Sequence, residues 1–465
     1  MEFNLNRRFG LVAIICVSSA LVSSAQEFRV VVNFNGNDGT RPMAAPIQAF
    51  DGNLYGTTFQ NGVNGKGTVY KMTPGGALTT VYNFCSQPDC VDGSLPSTSV
   101  LQSTNGVFYG LTSAGGVNDW GTIFKLQSAT LMTLYSFCSQ SNCKDGLQPN
   151  NLVQGADGNF YGTTFGGGAN GAGIVFKMTP TGALTKLYDF CREGPPCSDG
   201  SAPTSLIQAA DGNFFYGATD GGGASSDGTI FKITPTGVLT TLHSFEGADG
   251  AGPGALIQAA NGKLYGLTQP FAAGVGTFFR FDMVGGTLET LYEFCSQPNC
   301  ADGDEAAGLI QAGDSSFYGT TAIGGTGNGT VFKITARGVL TTLHTFSLTD
   351  GAAPFGLMER TTGDFYGTTY LGGSNGDGTV FGLSVGLRPF IKPVQSSGTV
   401  GSPVVILGTN LTGASSVTFN GAAATFRVVS SSEIETTVPL GATSGKIQVV
   451  TPQRTLSSLV FFRVR

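Results

Sequence analysis

From residue 27 to about residue 385 the chain repeats one pattern of apolar and polar positions. Short runs with a period of two, which send alternate side chains to opposite faces of a strand, are separated by tight turns. One unit shows the pattern in full. Ser205-Leu206-Ile207-Gln208-Ala209 is a short apolar run, and Asp211-Gly212 follows it. Asp-Gly and Asn-Gly favour hairpin turns, because both central positions need positive φ. The same slot holds Asp51-Gly52, Asn105-Gly106, Asp157-Gly158 and Asn261-Gly262. A second run carries Phe-Tyr-Gly-Thr-Thr, and a glycine-rich loop such as 372–378 comes next. The third run reads Gly-Thr-Val-Phe-Lys, as at 329–333. A Thr-Pro-x-Gly turn, as at 179–182, leads to a fourth run such as 78–84. The Tyr-Gly dipeptide recurs at Tyr55, Tyr109, Tyr161, Tyr216, Tyr265, Tyr318 and Tyr366, at spacings of 54, 52, 55, 49, 53 and 48 residues. A unit of about 50 residues with four short strands and tight turns predicts the blade of a β-propeller. A coil of a parallel β-helix would be shorter and would lack hairpin turns.

The ends of the repeat region predict how it closes. The seventh unit, from Pro354 to about Val385, has three strands and no fourth, because Leu387-Arg388-Pro389 opens a different kind of sequence. Phe28-Arg29-Val30-Val31-Val32-Asn33-Phe34 fits the fourth-strand pattern and precedes the first unit. An N-terminal strand that completes the last blade would remove the two sheet edges an open array exposes. The third-strand position after the aromatic reads Lys71, Lys125, Lys177, Lys232, Arg280 and Lys333, then Gly382. These cations suit an outward, solvated position; an anion-binding belt is the alternative.

Residues 389–465 lose the repeat and show about seven short alternating runs, among them 401–411, 416–421, 434–439 and 445–450. Such a segment suits a small β-sandwich. Its Gly-Thr-Asn-Leu, Val-Thr-Phe-Asn-Gly and Thr-Val-Pro stretches resemble the IPT/TIG domain, an immunoglobulin-like module. That resemblance implies a spacer or interaction module with no catalytic residues. The repeats, with Gly-x-Leu-Thr-Thr-Leu-Tyr-x-Phe, Asp-Gly-x-x-Pro, Asp-Gly-Asn-Phe-Tyr-Gly-Thr-Thr and Gly-Gly-x-x-Gly-x-Gly-Thr-Val-Phe-Lys, resemble the GloVer tandem-repeat family of exported bacterial proteins. The expected organisation is therefore all-β: a signal peptide at 1–25, a seven-bladed β-propeller at 26–386 closed by its N-terminal strand, and an immunoglobulin-like β-sandwich at 387–465.

Composition narrows the function. Charged residues make up only 12% of the chain and the net charge is -6, so no basic face is available for nucleic acid. Two histidines leave little for a histidine-based metal site. Arg7 and Arg8, the apolar run 11–22 and Ser23-Ser24-Ala25 read as a cleavable export signal. No later stretch reaches the length of a membrane span. Beyond Cys16 the cysteines fall into local pairs, Cys85/Cys90, Cys138/Cys143, Cys191/Cys197 and Cys295/Cys300. In an exported chain such pairs read as disulfides. The mature protein is expected outside the cytoplasm, secreted or at the cell surface.

Candidate chemistry divides into repeated and unique residues. Asp38, Asp92, Asp145, Asp199, Asp249, Asp302 and Asp350 each precede a glycine just after a fourth strand. Seven turns, with Asp hydrogen-bonding its own backbone, explain them; a carboxylate ring holding Ca²⁺ is the sharper alternative. No other cofactor is implied. His243 and His344 take a slot held elsewhere by Tyr82, Tyr135, Tyr188 and Tyr292, as packing variants. Trp120, beside Asn118 and Asp119, would suit a sugar-stacking platform. Asp302, Asp304 and Glu305 crowd one loop and could pair carboxylates for glycoside chemistry, as could Glu359 with Arg360. The reading is an exported, non-catalytic binding protein for a glycan or an extracellular protein, with Trp120, Asp302, Asp304 and Glu305 on the disulfide-loop face. The alternative is an extracellular glycan hydrolase or lyase using that face.

Overall fold

A computed structural model describes residues 26–210, 212–270 and 275–465. The expected signal peptide lies outside the described residues. The chain is all-β, and the repeats form antiparallel four-stranded sheets, seven among the described residues. The third repeat is typical: Leu147–Gln154, Phe160–Gly166, Ile174–Met178 and Leu184–Asp189 pair in sequence order. The seventh sheet contains Ala352–Glu359, Phe365–Leu371 and Thr379–Ser384, and its fourth strand is Glu27–Asn33. Glu27 pairs with Ser384 and Asn33 with Thr379, as the displaced pattern predicts.

The repeated Tyr-Gly has a steric cause. The glycine lies opposite the third-strand aromatic, as Gly162 opposite Phe176. A Cβ on Gly162 would sit 2.3 Å from Phe176 Cζ, and one on Gly217 would sit 2.3 Å from Phe231 Cζ. The missing side chain is the space into which the aromatic ring folds. Those rings make the core. Phe137, Phe160 and Phe176 are fully buried in one cluster shared by two neighbouring sheets. Tyr366 and Val380 of the seventh sheet share another cluster with Leu54, Tyr70 and Met72 of the first.

Gly382, the gap in the cation row, also has a cause. It pairs with Arg29, whose Nε lies 3.2 Å from where a Cβ would be. Arg29 then donates to the Tyr366 hydroxyl at 3.2 Å, so the borrowed strand brings the missing cation with it. The other members of the row are half-exposed. Lys71, Lys177 and Lys333 pair with Asp51, Asp157 and Asp314 of their own hairpin turns at 2.8, 2.9 and 2.7 Å. Surface pairs of this kind add about 0–1 kcal/mol each.

After the repeats, two sheets face each other across one core. One is ordered Lys392–Pro393, Pro403–Leu407, Glu433–Thr437, Phe426–Val428; the other is ordered Ala422–Ala424, Ser416–Phe419, Ile447–Val450, Thr455–Ser457. Ile391, Ile406, Phe419, Ile434 and Ile447 fill the space between them. This unit rests on the turns between first and second strands of the repeats: Phe390 N–H donates to Thr361 O at 3.0 Å and Ser432 Oγ–H to Phe50 O at 2.7 Å.

Candidate functional site

The loops leaving the fourth strands and the glycine-rich loops meet at one end of the repeat domain. Gly116 N–H donates to Cys90 O at 2.9 Å, and Gly325 N–H to Cys300 O at 2.8 Å. Each of the four expected disulfides is formed: Cys85–Cys90, Cys138–Cys143, Cys191–Cys197 and Cys295–Cys300.

The aspartates stand under these loops. Asp92, Asp145 and Asp302 are buried, at 0, 1 and 0% exposure. Asp302 accepts the Tyr292 hydroxyl at 2.8 Å, Ser296 N–H at 3.0 Å, Ser296 Oγ–H at 3.0 Å and Gln297 N–H at 3.2 Å. Asp92 and Asp145 take the same donors from their own loops. Although burial opposes ionisation of Asp145, these hydrogen bonds outweigh it and hold its carboxyl below the usual range. Asp199 accepts Tyr188 and Arg192 N–H. In two repeats a histidine substitutes for the tyrosine: His243 Nε2 lies 2.7 Å from Asp249, and His344 Nε2 3.0 Å from Asp350. Burial lowers the pKa of His344 despite that carboxylate. Asp38 has Val32 where the tyrosine would be and takes its bond from Asn35 N–H, and burial raises its pKa. The seven carboxylates therefore engage their own loops one by one. Among the described residues, no three or more His, Cys, Asp or Glu are grouped to hold a metal ion.

The unique residues lie above this framework. Trp120 is 42% exposed, and its carbonyl accepts Gln148 N–H at 2.9 Å from the following connection. Asp304 is half-buried and accepts Glu305 N–H at 2.8 Å, while Glu305 is exposed at a φ of 53°. Val63 and Val117, at 81 and 74% exposure, rise from the first two glycine-rich loops, and Phe165 is 49% exposed at the root of the third.

The opposite end holds a constellation the sequence reading passed over. The last residue of each first strand is Gln48, Gln102, Gln154, Gln208, Gln258 or Gln311, and then Glu359. Each glutamine oxygen accepts a backbone N–H from the preceding repeat: Phe50 to Gln102 at 2.9 Å, Ala210 to Gln258 at 2.7 Å, Ala260 to Gln311 at 2.8 Å. The series returns to its start, because Thr361 N–H of the seventh repeat donates to Gln48 at 2.9 Å. The amide of Gln102 also donates to Gly106 O of its own hairpin turn at 3.1 Å, as those of Gln154, Gln208 and Gln258 do in theirs. Glu359 is the exception. It accepts Gly313 N–H at 3.5 Å, and burial pushes its carboxyl up to about 7.

Two adjoining cavities of about 320 and 310 Å³ lie where the second domain meets this end. They share Ile47, Gln48, Lys392 and Leu407. Ile391 packs into the second domain's core and Pro393 is buried, so strand alternation turns Lys392 the other way, into the cavities. Lys392 is exposed and lines both cavities, and the protein packed around it desolvates its amine and lowers its pKa. Glu359 lines the second cavity with Lys392; each favours the other's charged form, and among the described residues no ion pair within 4.0 Å joins them. Arg360, paired with Glu359 in the sequence reading, leaves its Nε buried without a partner.

Residues 19–214, 136–298 and 193–381 match the Gloeobacter/Verrucomicrobia repeat, and residues 389–464 match the IPT/TIG domain. No curated protein matches. Among solved structures, the extracellular domain of a hybrid two-component system from B. thetaiotaomicron is 11% identical, with a TM-score of 0.52 over 95% of this chain and 60% of that one. A protein described as a gluconolactonase is 11% identical, with a TM-score of 0.40 over 79% of this chain and 94% of that one. TolB from Acinetobacter baumannii is 15% identical, with a TM-score of 0.37 over 63% of each chain. At these identities the likeness concerns the fold alone.

Proposed function

Because the chain belongs to the Gloeobacter/Verrucomicrobia repeat family and ends in an IPT/TIG domain, we propose that it is an exported, non-catalytic binding protein. Residues 26–386 act as one seven-bladed propeller and 387–465 as an interaction or spacer module. Closure of the propeller is supported by Glu27–Asn33 in the seventh sheet, by the Thr361–Gln48 bond and by the core shared between first and seventh sheets. The four disulfides favour a location outside the cytoplasm, and no helix of the described residues is long and apolar enough to cross a membrane.

The observation that carries the binding reading is the state of the loop end. Its loops are tied by disulfides and by buried aspartates, while Val63, Val117, Trp120 and Phe165 stand exposed above them. A frame ordered in advance lowers the entropic cost of binding, and exposed aromatic and aliphatic groups supply contact area. The ligand is a glycan or an extracellular protein, met by Trp120 and by the Asp304/Glu305 loop, with Asp302 as the anchor beneath. The row of seven aspartates serves as loop anchors in this reading. A glycan array on the mature protein, followed by titration of the strongest ligand, tests it. Trp120→Ala and Glu305→Ala should each weaken binding at least tenfold, and Thr179→Ala and Thr234→Ala, at the other end, should leave it unchanged. The reverse pattern would overturn the assignment of faces.

A further inference from the structure

The chamber under the IPT/TIG domain has features that neither the repeat pattern nor domain packing requires. Six of seven repeats place a glutamine at the inner end of the first strand, and in five of them its amide satisfies two backbone groups at once. The seventh places an acid there, in a cavity that it shares with residues of the second domain. That domain contributes Lys392 to the same space. Around the two groups the second cavity is lined by Ile47, Ile310, Leu357 and Met358 from the repeats and Phe390 and Leu459 from the second domain, together with the amides of Gln48 and Gln311. Among the described residues the Lys392 ammonium has no hydrogen-bond or ion-pair partner, whereas Lys71, Lys177, Lys263 and Lys333 each hold an aspartate. An ammonium partly withdrawn from bulk water is costly unless an anion meets it.

We propose that this chamber binds a small apolar monocarboxylate, its carboxylate held by the Lys392 ammonium beside the Glu359 carboxyl that lines the same cavity. One ammonium matches one negative charge. Glu359 supplies the O–H donor that the ligand's second oxygen needs. The aliphatic lining takes the tail and disfavours strongly hydrated ions such as phosphate. Each cavity, at about 310 or 320 Å³, stands at the lower end of the range that holds small organic ligands. This site is separate from the loop-end binding face, so either assignment can fail without the other.

Isothermal titration of the mature protein with octanoate and with benzoate at pH 6 tests the proposal. The expected result is one site per chain for at least one of them, with octanol and inorganic phosphate failing to compete. Lys392→Met and Lys392→Gln should weaken binding at least tenfold, Lys392→Arg should retain it within a few-fold, and Trp120→Ala should not change it. Should the uncharged variants fail to fold, reductive methylation of the wild-type protein gives a second reading. Octanoate should then protect Lys392 while leaving the exposed Lys446 as reactive as before. Affinity should fall from pH 6 to pH 8 as Glu359 loses its proton, and Glu359→Gln should flatten that dependence. The charged or titratable groups bearing on Glu359 are Asp314, Lys392 and Tyr318. Absence of binding by both probes, unchanged affinity in the Lys392 variants, or equal competition by phosphate would each overturn the proposal.

Discussion

Replacing Glu359 by glutamine restores the residue found at the six equivalent positions, and its effect on stability should depend on pH. The carboxyl titrates near 7 in the folded protein, raised from an ordinary 4.5 chiefly by burial. Between those values the folded state holds a proton that the unfolded state releases. The contribution of Glu359 is therefore intact below pH 4.5 and declines as pH rises toward 7. A shift from 4.5 to about 7 corresponds to about 3 kcal/mol at most, at about 1.4 kcal/mol per pH unit. The side chain also borders a cavity, and screening there reduces the expected loss to about 1–2 kcal/mol. The uncharged amide of the Glu359→Gln variant would escape this loss, and it could donate to Gly363 O as Gln102 donates to Gly106 O. Urea unfolding followed by far-ultraviolet circular dichroism at pH 4.5, 6, 7 and 8 measures the effect. The variant should gain about 1–2 kcal/mol over the wild type between pH 4.5 and pH 8. A stability difference that stays constant across this range would refute the assignment of a raised, buried carboxyl.

Two further outcomes follow from the repeats. Gly162→Ala should cost about 3 kcal/mol, because its Cβ meets Phe176 at 2.3 Å and the Asn151 carbonyl at 2.4 Å; a melting temperature equal to wild type would remove the steric account of Tyr-Gly. Deleting Phe28 to Phe34 should destabilise the whole repeat domain by several kcal/mol, since the fully buried Phe34 alone contributes about 2–3 kcal/mol and the seventh sheet is left with a free edge. Unchanged melting would contradict closure by the N-terminal strand.

Much of this architecture was legible because its signals are local and repeated. Period-two runs, Asp-Gly turns and the spacing of Tyr-Gly are each read within a few residues, and Phe28 to Phe34 stood out because its pattern belonged to a strand missing elsewhere. The aspartate row was legible as turns for the same reason: Tyr292, Ser296 and Gln297, which hold Asp302, are its near neighbours in sequence. The glutamine row escaped notice because its meaning is non-local. Ala260 N–H, the group that Gln311 accepts, lies 51 residues away, and no single repeat reveals the bond. The signal was still present, since glutamine ends the first strand in every repeat except the one with Glu359. The meeting of Glu359 with Lys392 was not legible, because it depends on how the second domain sits on the repeats. Gly382 was noticed as a gap, but only the register with Arg29 explains it.

The pairing of Glu27 with Ser384 also sets an order of events. In a chain made from its N-terminus, the strand that completes the last sheet emerges first and finds its partner last. The other repeat strands pair with a neighbour in the same unit, whereas this one must wait for a span of roughly 350 residues to be brought together, an entropic cost of about 5 kcal/mol on the loop-closure relation. Until then the seventh sheet has an unfilled edge and the first strand is free, so two half-finished molecules can exchange strands and emerge as an interlocked dimer. Dilution during refolding should therefore favour the monomer, and a high local concentration of unfinished chains should favour the exchanged dimer.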